Sequence, residues 1–334
     1  MSESPQTGRA IPVTELRADF DRSRVAVLEE TFPLTYSASG LDAEDLPAFP
    51  RSGSALRRWG SAHVIVQDDV NALALVAAQA KASPLLLPRG EGDRRRFDSS
   101  QGNKRHKLDL EAAVVLPDGR LVVFGSGSLP ARRRLVLVDP GGRPVVLDAD
   151  ELYVRLASHA AFAGGALNLE GALVRGDELV LLQRGIGSLS STVPSGNALG
   201  FLALEAFLCW LAGSGPVPEL TRVVRIELGA HKNVRWGLTD ATLQADGSIA
   251  FIACAEDSPN AVDDGVVSGC CWGQITDDAA QWVEVVEAGG QPSRLKLEGI
   301  ESRLGDPNRF DVVADVDDPD AAAVAGTLRV GLRC

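Results

Sequence analysis

Apolar residues along this chain come in short runs broken by tight polar turns. DLEAAVVLPDGRLVVFGSGS (109–128) shows the unit: an acid beside small residues opens an apolar run, Asp-Gly interrupts it, and a second run ends in polar residues. The unit recurs as NLEGALVRGDELVLLQRG (168–185), as LTDATLQADGSIAFIACAED (238–257) and as LKLEGIESRLGDPNRFDVVADVDD (295–318). A fifth copy starts at SASGL (37–41), and its second strand arrives at AHVIVQDDVNALALV (62–76) after a proline-rich insertion. Asp-Gly between apolar runs is the chemistry of a tight turn joining antiparallel strands. Third strands follow at 133–139, 197–204, 270–275 and 326–332, and outer strands at PVVLD and ELYVRL, at 222–228 and at 282–288.

The last unit has only three strands, whereas RVAVLEE (24–30) stands unused ahead of the first. Pairing those remnants closes a circle and removes exposed sheet edges. The pattern therefore predicts an all-β five-bladed β-propeller with circular closure by an N-terminal strand, a six-bladed ring being the alternative. Residues 1–20 are expected to be a flexible segment, 21–334 one domain, and 41–59 a long loop over one face. Parallel α/β architecture needs helices between strands, and only ALGFLALEAFLCWLA is long enough to offer one.

Composition narrows the partners. The 334 residues carry a formal charge of −12, with 45 acids against 33 lysines and arginines. That balance argues against nucleic acid or an anionic membrane as the main partner, but leaves room for a small anion held by local arginines. The five cysteines include no CxxC pair, which suits buried free thiols in a reducing compartment. No apolar run follows a basic start and none reaches a spanning length, so a cytoplasmic monomer or homodimer is expected.

The recurring acid supplies candidate chemistry. Innermost strands of a propeller line its channel, so Glu111, Glu170, Asp240 and Glu298, completed by Ser39, form a proposed ring. Ala112, Gly171, Ala241 and Gly299 beside them let the strands approach the axis. Gathered carboxylates resist desolvation unless neutralised, and an all-oxygen set favours Ca2+, with Mg2+ as the alternative. The plainer reading is that each acid receives backbone amides at a strand end. Second strands end in Gln67-Asp68-Asp69, Ser126, Gln183-Arg184, Cys254 to Asp257, and Asp315 with Asp317, expected at the opposite mouth or along the channel wall. Asp68 and Asp69 could bind a second metal or orient a water nucleophile. Lys107, Arg184 and Lys232, with Glu256, form a candidate pocket for phosphate or carboxylate.

The motifs SASG (37–40), QDDVN (67–71), DLEA (109–112), NLEG (168–171), LTDA (238–241), AEDS (255–258) and LEGI (297–300) together resemble a bacterial propeller family of unknown function. More distantly the order is similar to calcium-activated nucleotidases (apyrases), and to phytase-like and esterase-like propellers. The nucleotidase resemblance implies an axial calcium at Ser39, Glu111, Glu170, Asp240 and Glu298, and a substrate-side role for Asp68 and Asp69. Val70-Asn71 stands where those enzymes carry Asp-Arg. The resulting expectation is a calcium-dependent hydrolase of a small anionic, phosphorylated molecule, with catalysis by Asp68, Asp69 and Arg184. The alternative is a calcium-stabilised scaffold that binds a ligand or protein without turnover.

Overall fold

The computed structural model describes residues 11–78, 81–186, 196–258 and 265–333. They are mostly strand, arranged as several antiparallel sheets in a propeller-like layout. One group runs Gly53–Trp59, Ala62–Gln67, Ala72–Ala78, Lys81–Leu86, with Thr35–Tyr36 parallel to its outer edge. The next runs Leu110–Val115, Leu121–Gly125, Arg134–Val138, Pro144–Asp148. Leu169–Arg175, Glu178–Gln183, Asn197–Ala203 and Leu220–Glu227 follow. After them come Val234–Leu243, Ile249–Asp257, Val266–Ile275 and Ala280–Glu287. In the last group Lys296–Arg303, Asp306–Asp315 and Val324–Leu332 are joined by Arg24–Pro33, antiparallel to Val324–Leu332.

Local chemistry explains the hairpins. Gly119 and Gly247 take φ of 84° and 83° in the expected Asp-Gly turns, a region open to glycine at little cost. The first strand of each group packs against that of its neighbours, and Lys296–Arg303 packs against Gly53–Trp59. Apolar clusters fill the seams, with Trp236 against Trp282 and Trp272 against Phe310.

Four expectations need correction. Val13–Phe20 is a strand, parallel to both Leu220–Glu227 and Ala280–Glu287, so the later part of the expected flexible segment carries ordered pairing, residues 1–10 lying outside the described ones. The innermost strand of the first group is Gly53–Trp59, inside the expected loop. Its Arg57 and Arg58 break the apolar alternation that marks the other inner strands. ELYVRL lies in a helix, Asp150–Ser158, which buries Leu152, Tyr153 and Leu156. Finally, Cys254 and Cys270 lie opposite each other on adjacent strands and are joined as a disulfide, whereas Cys209 and Cys271 are free. Their pairing follows from strand register, which cysteine spacing does not reveal. Among the described residues no helix is long and apolar enough to cross a membrane.

Candidate functional site

Each inner strand carries a register shift near its start, at Gly53/Ala55, Leu110/Ala112, Leu169/Gly171, Leu238/Asp240 and Leu297/Gly299. The extra residue of such a bulge leaves the ladder and is re-aimed. The equivalent residues are therefore Ser54, Glu111, Glu170, Thr239 and Glu298. This corrects two assignments. Ser39 is exposed, in the loop after the outermost strand Thr35–Tyr36. Asp240 stands one position past the bulge, in the place that small residues fill elsewhere. Aligning Asp118-Gly119 with Asp246-Gly247 would have put Thr239 opposite Glu111 from sequence alone.

Asp240 instead meets Arg57, missed because it sat in the supposed insertion. The guanidinium donates to both Asp240 oxygens at 2.6 and 2.8 Å. It also donates to the carbonyls of Leu56, Ala113, Ala172 and Ile300 at 2.6 to 3.3 Å. Every inner strand thus contributes an acceptor. Gly171 leaves room for this pair, since a Cβ there would lie 3.2 Å from Asp240 Oδ1.

Above this pair lies a network of buried charge. Second strands run antiparallel to inner ones, so their ends reach the same mouth as the bulges, and not the opposite one. Asp68, Asp69, Lys107, Glu111, Glu170, Arg184, Glu256 and Glu298 come together there. Lys232 does not, being exposed on a turn. Lys107 Nζ contacts Asp68 and lies 2.6 Å from Asp109 Oδ1. Asp109, a non-glycine residue at φ 56°, also accepts from Arg132 Nη1 at 2.7 Å and from Ser126. Arg184 reaches Glu256 at 2.5 Å and Glu170 at 3.3 Å. Lys296 Nζ lies 3.1 Å from Asp317 and 3.5 Å from both Glu256 and Glu298.

Positive charge does not satisfy all of these acids. Glu298 is 4% exposed, yet neither carboxylate oxygen accepts a hydrogen bond. Its nearest cations stand back at 3.5 and 3.7 Å. Burial, against the pull of Lys296 and Arg184, holds its carboxyl well above the usual range. Burial raises Glu111 likewise, with the charges of Asp68, Asp109 and Glu170 adding to it. Glu170 is raised to about 7 by burial. The hydroxyls of the ring are committed elsewhere, Ser54 to Ser52 O and Thr239 to Leu297 O. Asp68, Asp109 and Glu111 each offer an oxygen within 4.8 Å of the others. Lys107 already contacts two of these three, and Glu298 lies outside the trio, but an all-oxygen donor set of this kind suits a hard cation.

A cavity of about 210 Å³ opens over this network, lined by Asp68, Asp69, Asp98, Lys107, Asp315 and Asp317 among others. Arg51 Nη2 lies 2.8 Å from both Asp69 and Asp98. Asp69 is nonetheless raised to about 7 by burial and then by the charge of Asp68. Asp315 is raised to about 8 by burial, with Asp68 and Asp317 adding to it and Lys296 opposing. Chemically the mouth is a carboxylate cradle with incomplete countercharge.

Comparison with solved structures finds remote likenesses. A hypothetical protein from Leishmania major aligns with 12% identity and TM-score 0.46, covering 90% of each chain. A Bifidobacterium bifidum protein described as an exo-β-1,3-galactanase aligns with 10% identity and TM-score 0.48, over 94% of this chain and 97% of its own. Virginiamycin B lyase from Staphylococcus aureus gives 10% identity and TM-score 0.41, over 90% and 99%. No curated protein matches the sequence. A family model does match, over residues 50–330, a span that takes in every inner strand and the whole mouth: the chain belongs to the family of unknown function DUF6929.

Proposed function

We propose that this protein is a five-bladed β-propeller, closed by Arg24–Pro33, whose mouth holds a calcium ion and hydrolyses a small anionic, phosphorylated molecule. The observation that carries the reading is Glu298, buried in the ring with neither oxygen in a hydrogen bond and its nearest cations no closer than 3.5 Å. A hard cation held by Glu111, Glu170 and Glu298, with Asp68 and Asp109 at its edge, relieves that conflict; magnesium is the second candidate. Bound calcium would supply positive charge to the phosphoryl group and so offset the repulsion between an anionic substrate and the acidic mouth.

The residues of the chain divide the remaining work. Asp68, paired with Lys107 and lining the cavity, orients a water and accepts its proton as the water oxygen bonds to phosphorus. The ester P–O bond breaks, the leaving oxygen takes a proton from solvent, and Asp68 returns the one it accepted to solvent. Lys107 lines the same cavity and balances charge there. Arg184, tied to Glu170 and Glu256 beneath, positions the ring carboxylates and does not touch the substrate.

The test pairs calorimetric calcium titration with a phosphate-release screen over nucleotides, sugar phosphates and inositol phosphates, in calcium, magnesium or chelator. Glu298→Gln is expected to weaken calcium binding at least tenfold, and Asp68→Asn to lose turnover by a far larger factor than any loss of calcium affinity. Calcium binding without any turnover would leave the non-enzymatic scaffold. Undiminished calcium affinity in Glu298→Gln would remove the ring from the account.

A further inference from the structure

The outer cavity repeats a chemical arrangement that the protein elsewhere completes with its own nitrogen. Lys107 Nζ sits between Asp68 and Asp109, and Lys296 Nζ bonds Asp317, with Glu256 at 3.5 Å. Asp68 and Asp317 also line the cavity, where they meet Asp69 and Asp315. Asp69 is 8% exposed, and its Oδ1 accepts no hydrogen bond, although Arg51 holds Oδ2. Asp315 receives the Asp317 amide at 3.1 Å.

We propose that this cavity is a subsite for the protonated amino group of a small molecule, cradled by Asp69 and Asp315. Charge complementarity is one argument: an ammonium has N–H groups to distribute among separate carboxylate acceptors, as Lys107 does between Asp68 and Asp109. Size is another. About 210 Å³ is many times what a bare ion or one water needs, so a molecule of several heavy atoms fits. The Lys104 and Lys107 ammoniums on the cavity wall also repel a monovalent head less than a divalent ion. Resting on the hydrolase reading above, the substrate class becomes an aminoalkyl phosphate, with the ammonium in this subsite and the phosphate over the inner ring. Its hydrolysis would release inorganic phosphate and an amino alcohol, with one water consumed.

Binding is tested apart from turnover. Ethanolamine and the neutral, similarly sized 1-propanol are titrated calorimetrically into the protein, with calcium and with chelator. Ethanolamine is expected to bind and 1-propanol not, and Asp315→Asn to weaken ethanolamine at least tenfold. The parent-protein comparison decides the matter even if that variant folds poorly. Failure of ethanolamine to bind, or equal binding by Asp315→Asn folded as judged by circular dichroism, would overturn the assignment. So would a calcium equivalent that displaces ethanolamine and is lost in Asp315→Asn, since the subsite would then belong to a metal. If turnover exists, KM for O-phosphoethanolamine should lie at least tenfold below that for ethyl phosphate, and Asp315→Asn should erase the difference. Ethanolamine binding without turnover keeps the subsite and discards only the hydrolase.

Discussion

At the scale of single residues, the most consequential side chain is Arg57. It fills the axis with a guanidinium whose N–H groups all find acceptors, and its partner Asp240 is fully buried. Removing one member of such a pair strands the other charge, which typically costs about 3–5 kcal/mol. Arg57→Met is therefore expected to lose that amount in urea unfolding, and Arg57→Met with Asp240→Ala to lose less than the single change. A single-variant loss below about 1 kcal/mol would show that the pair is not what holds the inner strands together. The pair also takes Asp240 out of the ring that the sequence pattern assigns it to. Its acidity matches Glu111, Glu170 and Glu298, while its partner is distant in sequence and no local pattern links them.

At the scale of elements, apolar runs and Asp-Gly turns located most strands, because period-two burial and positive φ leave direct marks in the residues. Gly53–Trp59 escaped because its channel face carries arginine. Small residues beside the bulges were legible, and the structure gives their reason. A Cβ on Gly299 would lie 2.7 Å from Leu56 N and 2.8 Å from Ala55 C, backbone atoms that cannot move aside singly. Gly299→Ala should therefore destabilise by about 1–3 kcal/mol. Gly289→Ala, with open space around the added carbon, should change little. Equal midpoints for the two variants in urea would contradict the close strand approach.

At the scale of the whole molecule, acids concentrated around one mouth make stability depend on pH. Asp69 and Glu170 are raised to about 7 and Asp315 to about 8, from ordinary values of 3.8 to 4.5. Between those limits the folded chain binds more protons than the unfolded one, so stability falls as pH rises. The formal charge of −12 adds self-repulsion over the same range. In chelator, calorimetric Tm should be higher at pH 5 than at pH 8, and calcium should narrow the difference by binding only the folded state. A Tm that rises from pH 5 to pH 8 in chelator would show that these groups are not buried together.

The residues alone determined the β character, the antiparallel hairpins, the recurrence of acids beside small residues and the gathering of Asp68 with Asp69 at a strand end. All of these are local, written within a few positions of one another. Tertiary structure decided which acids share the mouth, which one turns aside to Arg57, and that Cys254 meets Cys270. A bulge shifts register by one residue, and in a strand one residue reverses the side a chain faces. That shift alters no composition, so only the packed strands reveal it.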